Sequence, residues 1–460
     1  MDSLIFISPF VNKFLAFFQY IFVSERKATL YNLLLLVLGI VVTSSLSVRK
    51  CFRHVASRLS DKSLNSFYYL LSDSKICLNI WSTQIIKLAL RCIPPAYEEA
   101  PILLAVDDTL VEKEGTEFAH RGKLFEHSGY SQPKGNSAAS QNKKGRFIYG
   151  HCFVTLIMLI PAMTITGLKY VPVVVAQRMW TGKVSKLVMA REMVLLARKI
   201  VGEHRQLMLL CDSWYPKEGV AGLARLQHLD IICNARSDSA MFEMPVPKEK
   251  TGPGRPKKYG KQIKADDFEL VPVPGTDYHV GVRTVQARIF GDKPITAIVT
   301  QQGEKGSRRV FFCTNLEACN FFQQHPQIFS KRDVQAYIST DIDFVPLAIY
   351  SLRWEIETSY LELKSFWAFR EYRVRSRDGI ERLLNIQSLV YSVFSLLPIL
   401  DSGFAPLEPL SIQERRWHME QLISQEIIFH RLEERLQTDK NKLTILQQCR
   451  AIALQDTIAA

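Results

Sequence analysis

A mixed α/β fold with a sheet-bearing middle between helical ends is what this sequence predicts, and three observations predict it. Residues 1–98 place apolar clusters at helical spacing with basic residues between them. From Ile102 the pattern turns into short apolar runs, ILLAVDD, FIYGHCFVTLIML, ITGLKYVPVVVAQ, QLMLLC and DIICNAR, with helical stretches interposed from about residue 184 onward. Between about 240 and 335 a Pro, Gly and Lys-rich stretch and several alternating runs interrupt that order, and helices then return.

The helical start contains one segment with a competing interpretation. Residues 28–48, ATLYNLLLLVLGIVVTSSLSV, carry no charge, are long enough to span a bilayer and are flanked by Lys27 and Arg49. Asn32, Thr43, Ser44, Ser45 and Ser47 dilute that run, so a helix buried in a protein core is expected rather than a membrane anchor. The following stretch has basic residues opposite Val48, Phe52, Val55 and Leu59. It suits either a small helical DNA-binding unit or an ordinary amphipathic helix pair. Pro94-Pro95 then marks a boundary.

In the middle, three strand-like runs precede a helix over 184–204, whose stripe is Leu187, Met189, Met193, Leu196 and Ile200. A strand into Asp212, a short helix from Lys217 and a strand over DIICNAR complete the set. DFELVPV, HVGVRTVQARIF, PITAIVTQQ and RRVFFCTN read as a β-rich insertion. A long helix is expected from Ile349 to Tyr372, and another over 378–400. The expected units are therefore a helical region over 1–98, an α/β domain in two parts over 99–239 and 336–400, the insertion over 240–335, and a charged, peripheral helical region over 401–460.

Composition narrows the partners. The chain has 460 residues, is 22% charged and 47% hydrophobic, and its 58 Lys and Arg exceed its 45 Asp and Glu to give a net charge of +13. That balance favours an anionic partner, nucleic acid first. Nine scattered cysteines without a C-x-x-C pair argue against a disulfide scaffold and a structural zinc site, and point to a reducing, cytosolic compartment.

Tyr350, Arg353, Glu357 and Lys364 fall at offsets of nearly whole helical turns, which puts all four on one stripe. A carboxylate framed by Arg, Lys and Tyr is poor core material and suits a metal ion held against a phosphate backbone. Asp107, Asp108 and Asp212 stand at the ends of apolar strands. With Glu357 they supply a three-acid set, and hard cations such as Mg²⁺ want carboxylate oxygen. Two such ions about 3.5–4 Å apart activate an attacking oxygen and neutralise a leaving one. Asp107 and Asp108 are adjacent, so on a strand only one of them can face the site. Each candidate has a structural alternative: a turn cap for Asp107 or Asp108, the N-cap of the helix from Lys217 for Asp212, and an exposed i, i+4 partner of Arg353 for Glu357. His151, in FIYGHCF, reads as a hydrogen-bonded core histidine.

Tyr-x2-Arg-x3-Glu-x6-Lys resembles the signature of the IS-four family of insertion-sequence transposases. The resemblance extends through VDDTLVEK, KKGRFIYGHCFVTL, LLCDSWYPKEG, ARSDSAMFEMP, GRPKKYG and RWEIETSYLELKSFWAFREYRVRS, roughly residues 100 to 395. It implies an RNase H-like catalytic domain with Asp108, Asp212 and Glu357 as catalytic metal ligands, Asp108 being favoured over Asp107 by the family's Asp-Thr pattern. It also implies two Mg²⁺ or Mn²⁺ ions, and Tyr350, Arg353 and Lys364 on phosphates near the cleaved end. Arg373 and Arg375, with Arg370 and Arg377, extend a basic track or a solvated face. In GRPKKYG, Arg255, Lys257 and Lys258 resemble a minor-groove hook, with a flexible loop as the alternative. The implied partners are double-stranded DNA, as terminal inverted repeats and target, and a second copy of the chain, with no membrane. The implied reaction is cut-and-paste transposition through a hairpin end. A DNA-binding derivative that no longer cuts is the alternative.

Overall fold

The computed structural model describes residues 6, 8–126, 146–226, 228–236, 238–245, 258–273, 276–304, 306–436 and 440–459. Its centre is a mixed sheet. Strand β1 (Ile102–Glu112) pairs antiparallel with β3 (Arg146–Thr164), which pairs antiparallel with β4 (Gly167–Trp180) and, near its start, with β2 (Gly122–Glu126). On its other side β1 runs parallel to β5 (Leu207–Cys211), and β5 parallel to β6 (Leu229–Ala235). The spatial order β4-β3-β1-β5-β6, with β3 reversed against its neighbours β1 and β4, is that of an RNase H-like domain, and helices stand at both termini.

The sheet does not stop at β6. After the short β7 (Met241–Phe242), β8 (Gln262–Ile263) and β9 (Val271–Pro272), the chain runs through β10 (Tyr278–Ala287), β11 (Pro294–Gln302) and β12 (Arg309–Cys313). β12 returns to pair antiparallel with β6, from Val310↔Ala235 to Cys313↔Ile232. The strands of the 240–335 stretch thus extend the central sheet to a total of twelve strands among the described residues.

Eleven helices of seven residues or more surround the sheet among the described residues. They are α1 (Pro9–Ile21), α2 (Lys27–Thr43), α3 (Leu64–Ser72), α4 (Leu78–Leu90), α5 (Lys186–Val201), α6 (Arg332–Thr340), α7 (Val345–Ser351), α8 (Trp354–Phe366), α9 (Arg377–Leu400), α10 (Ile412–Leu436) and α11 (Lys440–Ala459). α1 begins at Pro9 with Ser8 as its cap, the hydroxyl accepting the Val11 N–H, and buries Phe14 and Phe18. α2 is buried from Asn32 to Val41. It packs on α9, α10 and the turn that follows it, inside one continuous core with the sheet.

Among the described residues α9 is the one helix long and apolar enough to cross a bilayer alone, and 89% of its apolar window is buried in the protein. Its polar residues bind the backbone of the edge strand β4. Asn385 donates to the Gln177 carbonyl at 2.8 Å, Ser395 donates to the Pro172 carbonyl at 2.9 Å, and Ser392 accepts from the Val174 N–H at 2.9 Å. Covering an edge strand in this way removes a pairing template that would otherwise face solvent.

Two expectations are corrected. The helix expected from Ile349 to Tyr372 is broken. Leu352 and Arg353 bond back only three residues, to Ile349 and Tyr350, which tightens the turn between α7 and α8. α8 ends at Phe366, because Ala368 takes the left-handed conformation at φ 57° and Phe369 bonds back to the Leu363 carbonyl. The C-terminal helices are not peripheral. α10 buries Met419, Ile423 and Ile427, and Arg416 donates to the Val41 carbonyl at the end of α2 at 2.9 Å. Arg450 of α11 forms a buried ion pair with Glu426, whose carboxylate also accepts the Ser8 N–H at 2.6 Å.

Gly39 marks the tightest contact in the helical region, since a Cβ there would lie 2.5 Å from the Cβ of Cys51. Gly39→Ala is expected to cost about 1–3 kcal/mol, the usual range for overpacking. Gly219→Ala, with nothing within 4 Å of the added carbon, is the control. Urea unfolding of the two variants checks this.

Candidate active site

Strand alternation decides which side chains meet. β1 and β5 pair in register up to Val106↔Cys211. One residue further on each strand stand Asp107 and Asp212, on the same face of the sheet. That face carries α8: Tyr360 donates its hydroxyl to the Asp107 carbonyl at 3.1 Å, and the Lys364 ammonium donates to the Thr109 hydroxyl. Arg353, in the tight turn before α8, donates Nη1 to Asp107 Oδ2 at 3.3 Å and Nη2 to Glu357 Oε1 at 3.1 Å. One guanidinium therefore bridges the first acid and the last. Its buried Nε–H has no acceptor among the described residues.

The electrostatics follow from this crowding. Burial, and then the charges of Asp212 and Glu357, push the Asp107 carboxyl up to about 7. Burial also raises Asp212. Asp212 Oδ1 accepts the Trp214 N–H at 3.0 Å, closing a turn, and the next helical turn begins only at Glu218, so Asp212 does not cap that helix. Burial, then Arg370, lowers the Lys364 ammonium.

Asp108 points the other way. Lys186 of α5 donates to its Oδ2 at 2.7 Å, the Cys152 thiol to the same oxygen at 3.3 Å, and the Tyr215 hydroxyl to Oδ1 at 3.1 Å. The structure thus brings Asp107, Asp212 and Glu357 together and leaves Asp108, which the sequence reading favoured, in an ion pair behind the strand. Both orientations follow from the period of two; which face would carry α8 was not legible from the strand alone.

The other expected residues are placed as follows. Tyr350, on α7, is half-buried edge-to-face on Phe311 of β12 with ring centroids 5.1 Å apart, and Arg353 lies 5.6 Å from its ring centre. It lines a cleft of about 460 Å³ shared with Tyr278, Arg309, Lys331 and Phe344. Arg373 and Arg375 are exposed in an extended segment in which Tyr372 and Val374 alternate inward. Lys258 is exposed and paired with Asp292 at 3.1 Å. Arg255 and Lys257 lie outside the described residues.

Sequence reasoning missed Lys113, the residue that follows β1. Its ammonium lies 3.5 Å from the Tyr372 ring centre and donates to the carbonyls of Arg370 and Tyr372, fixing the arginine segment against β1. Burial lowers it to about 8. Its only sequence signal was a lysine in strand register after VDDTLVE. His151 is a core histidine, bonded through Nδ1 to the Tyr372 hydroxyl at 2.6 Å and through Nε2 to the Ala119 carbonyl at 2.9 Å.

An RNase H-like sheet with acids gathered at the ends of two adjacent parallel strands and on a facing helix is the framework of nucleases and transposases that cut phosphodiesters. The chain belongs to the DDE superfamily endonucleases, whose sequence profile matches residues 17–292, more than half of its length. It is a DDE transposase-like protein, of a class of nucleases and transposases that act on DNA and generally use divalent metals. The match includes both strand-end acids and ends before α8. A search of curated proteins gave no match.

The donor set is all oxygen and suits hard dications. Among the described residues no three Asp, Glu, His or Cys side chains are close enough here to hold an ion. Instead the Arg353 guanidinium supplies positive charge between Asp107 and Glu357, with its Nε–H unused among the described residues.

A carboxyl raised to about 7 takes up a proton on folding between about pH 4 and pH 7, so its contribution opposes folding increasingly across that window and fully above it. Asp107→Asn in metal-free protein is therefore expected to raise stability at pH 8 by about 1–3 kcal/mol and to leave it unchanged below pH 4. Chemical denaturation at several pH values in a chelator checks this; equal stabilisation at every pH contradicts it.

Proposed function

We propose that the chain is a DNA transposase of the IS-four type, which binds terminal inverted repeats and carries out metal-dependent strand cleavage and transfer. The observation that carries this reading is the Arg353 bridge between Asp107 and Glu357, with Asp212 near enough to raise Asp107 further. The ordered Tyr350–Arg353–Glu357–Lys364 signature supports it.

On this reading Asp107, Asp212 and Glu357 hold the cations, and Asp108 with Lys186 braces β1 from behind. A bound pair of Mg²⁺ or Mn²⁺ ions supplies activation of the attacking oxygen and relief of charge on the leaving oxygen. The chain's own residues do the positioning. Arg353, released from the two carboxylates, has a planar fork suited to a phosphate. Lys364, held at Thr109, sets a point charge beside the same strand end. Tyr350 and Phe311 form an aromatic wall at the border between the catalytic sheet and the extended strands. The exposed Arg373 and Arg375 continue the positive track. Cutting two ends together calls for two copies of the chain on DNA.

The test is metal-dependent release of a marked segment flanked by the element's own terminal repeats. Asp107→Asn, Asp212→Asn and Glu357→Gln are expected to bind the ends and to cut at least about a thousandfold more slowly, a loss of some 4 kcal/mol in barrier. Asp108→Asn is expected to stay within about tenfold of wild type. Full activity of Asp107→Asn with loss in Asp108→Asn would reassign the first ligand. Binding without cutting by every protein, wild type included, would leave a silent DNA-binding derivative.

A further inference from the structure

The strand that carries the acid-bearing face of the sheet also carries it outward. In the β1–β3 register Asp107 stands opposite Thr155, Thr109 opposite Phe153 and Val111 opposite His151. Directly paired residues share a face, so 155, 153 and 151 lie on the acid side, and by alternation so do Tyr149 and Phe147. There β3 leaves β1 behind and pairs with β2, Lys123 opposite Tyr149 and Phe125 opposite Phe147. Lys123 and Phe125 therefore lie on the same face.

This face of the arm is exposed, aromatic and basic. Phe125 is 42% exposed, Phe147 61% and Tyr149 49%. Phe125 and Phe147 meet edge-to-face at 5.1 Å. The Lys123 ammonium lies 4.5 Å from the Phe147 ring centre and the Arg121 guanidinium 4.8 Å from that of Tyr149. The acids of the paired strands lie on the other face, where Arg146 holds Glu126 at 2.8 Å and Glu112 at 3.2 Å. The register thus sorts positive charge and aromatic rings to the acid side and negative charge away from it. Eight residues from Thr155 to Phe147 span roughly 26 Å of strand, the length of about eight base pairs.

We propose that this arm, through Lys123, Arg121, Phe125, Phe147 and Tyr149, is a DNA-docking surface that grips the duplex flanking the cleavage point. The inference rests on the functional reading above. Lys123 and Arg121 meet phosphates, and the Phe125–Phe147 pair packs as an apolar wedge into the groove between them.

The test uses the full chain, a mixed-sequence duplex as probe, and fluorescence anisotropy across a salt series in a chelator. Lys123→Ala is expected to weaken binding about three- to tenfold and to lower the slope of log affinity against log salt by about one. The double variant Phe125→Ser and Phe147→Ser is expected to weaken binding by a similar factor at an unchanged slope, because it removes no charge. All these side chains are exposed, so thermal melting is expected to match wild type and serves as the folding control. Wild-type affinity and slope in both variants would overturn the arm's role while leaving the transposase reading intact. If wild type itself binds no duplex, both fall. If sedimentation shows a wild-type dimer that dissociates in the phenylalanine variant while DNA affinity is unchanged, the arm's partner is a second copy of the chain, and the proposal is overturned.

Discussion

Three carboxylates gathered in a half-buried site must be relieved by a proton or by a cation among them. Arg353 meets that constraint by dividing its guanidinium between Asp107 and Glu357. Much else in the structure sets up this one contact. The short i→i+3 turn at Leu352 and Arg353 places the guanidinium ahead of α8 rather than along it. Tyr360, Lys364 and Thr109 then fix α8 against β1. Removing the arginine alone would leave buried like charges uncompensated, which is far more costly than losing an ordinary surface ion pair. On the proposed reading this arrangement is a resting state, and DNA with its cations takes over the charge balance while the arginine turns to phosphate.

The sheet does a second job, separating two chemistries on one strand. Asp107 and Asp108 are neighbours whose side chains part: the Asp108 N–H donates to Asp107 Oδ1 at 2.7 Å, yet one carboxylate stands beside Glu357 and the other is tied to Lys186, Cys152 and Tyr215. The same alternation along β3 buries His151 and Phe153 under the 369–372 segment and exposes Tyr149 and Phe147 beyond it. Beyond β6, the extended strands bring Phe311 against Tyr350. The far part of the sheet thus closes one wall of the site.

Much of this was legible in the sequence. Apolar runs ending in acids became β1 and β5 because a run buried on both faces leaves little but a strand in a covered sheet. The α9 helix and the core role of His151 were also readable, each from a local pattern. The break at Leu352 was not, since neither proline nor glycine marks it and its cause is tertiary, the pull of Tyr350 toward Phe311 and of Arg353 toward Asp107. The choice between Asp107 and Asp108 was not either: period two says they differ, and only the placement of α8 says which faces in. The C-terminal helices read as peripheral because their surface is charged, yet Arg416 and Arg450 are buried, with carbonyl and carboxylate partners hundreds of residues or one helix away.

The central proposal is that Asp107, with Asp212 and Glu357, holds the cations while the Asp108 carboxylate stays with Lys186. The most direct measurement is electron paramagnetic resonance of Mn²⁺ added to the protein with duplex DNA, comparing wild type, Asp107→Asn and Asp108→Asn. A bound-ion signal in wild type and Asp108→Asn that is lost in Asp107→Asn is the predicted result. A signal that survives in Asp107→Asn and disappears in Asp108→Asn would contradict the account.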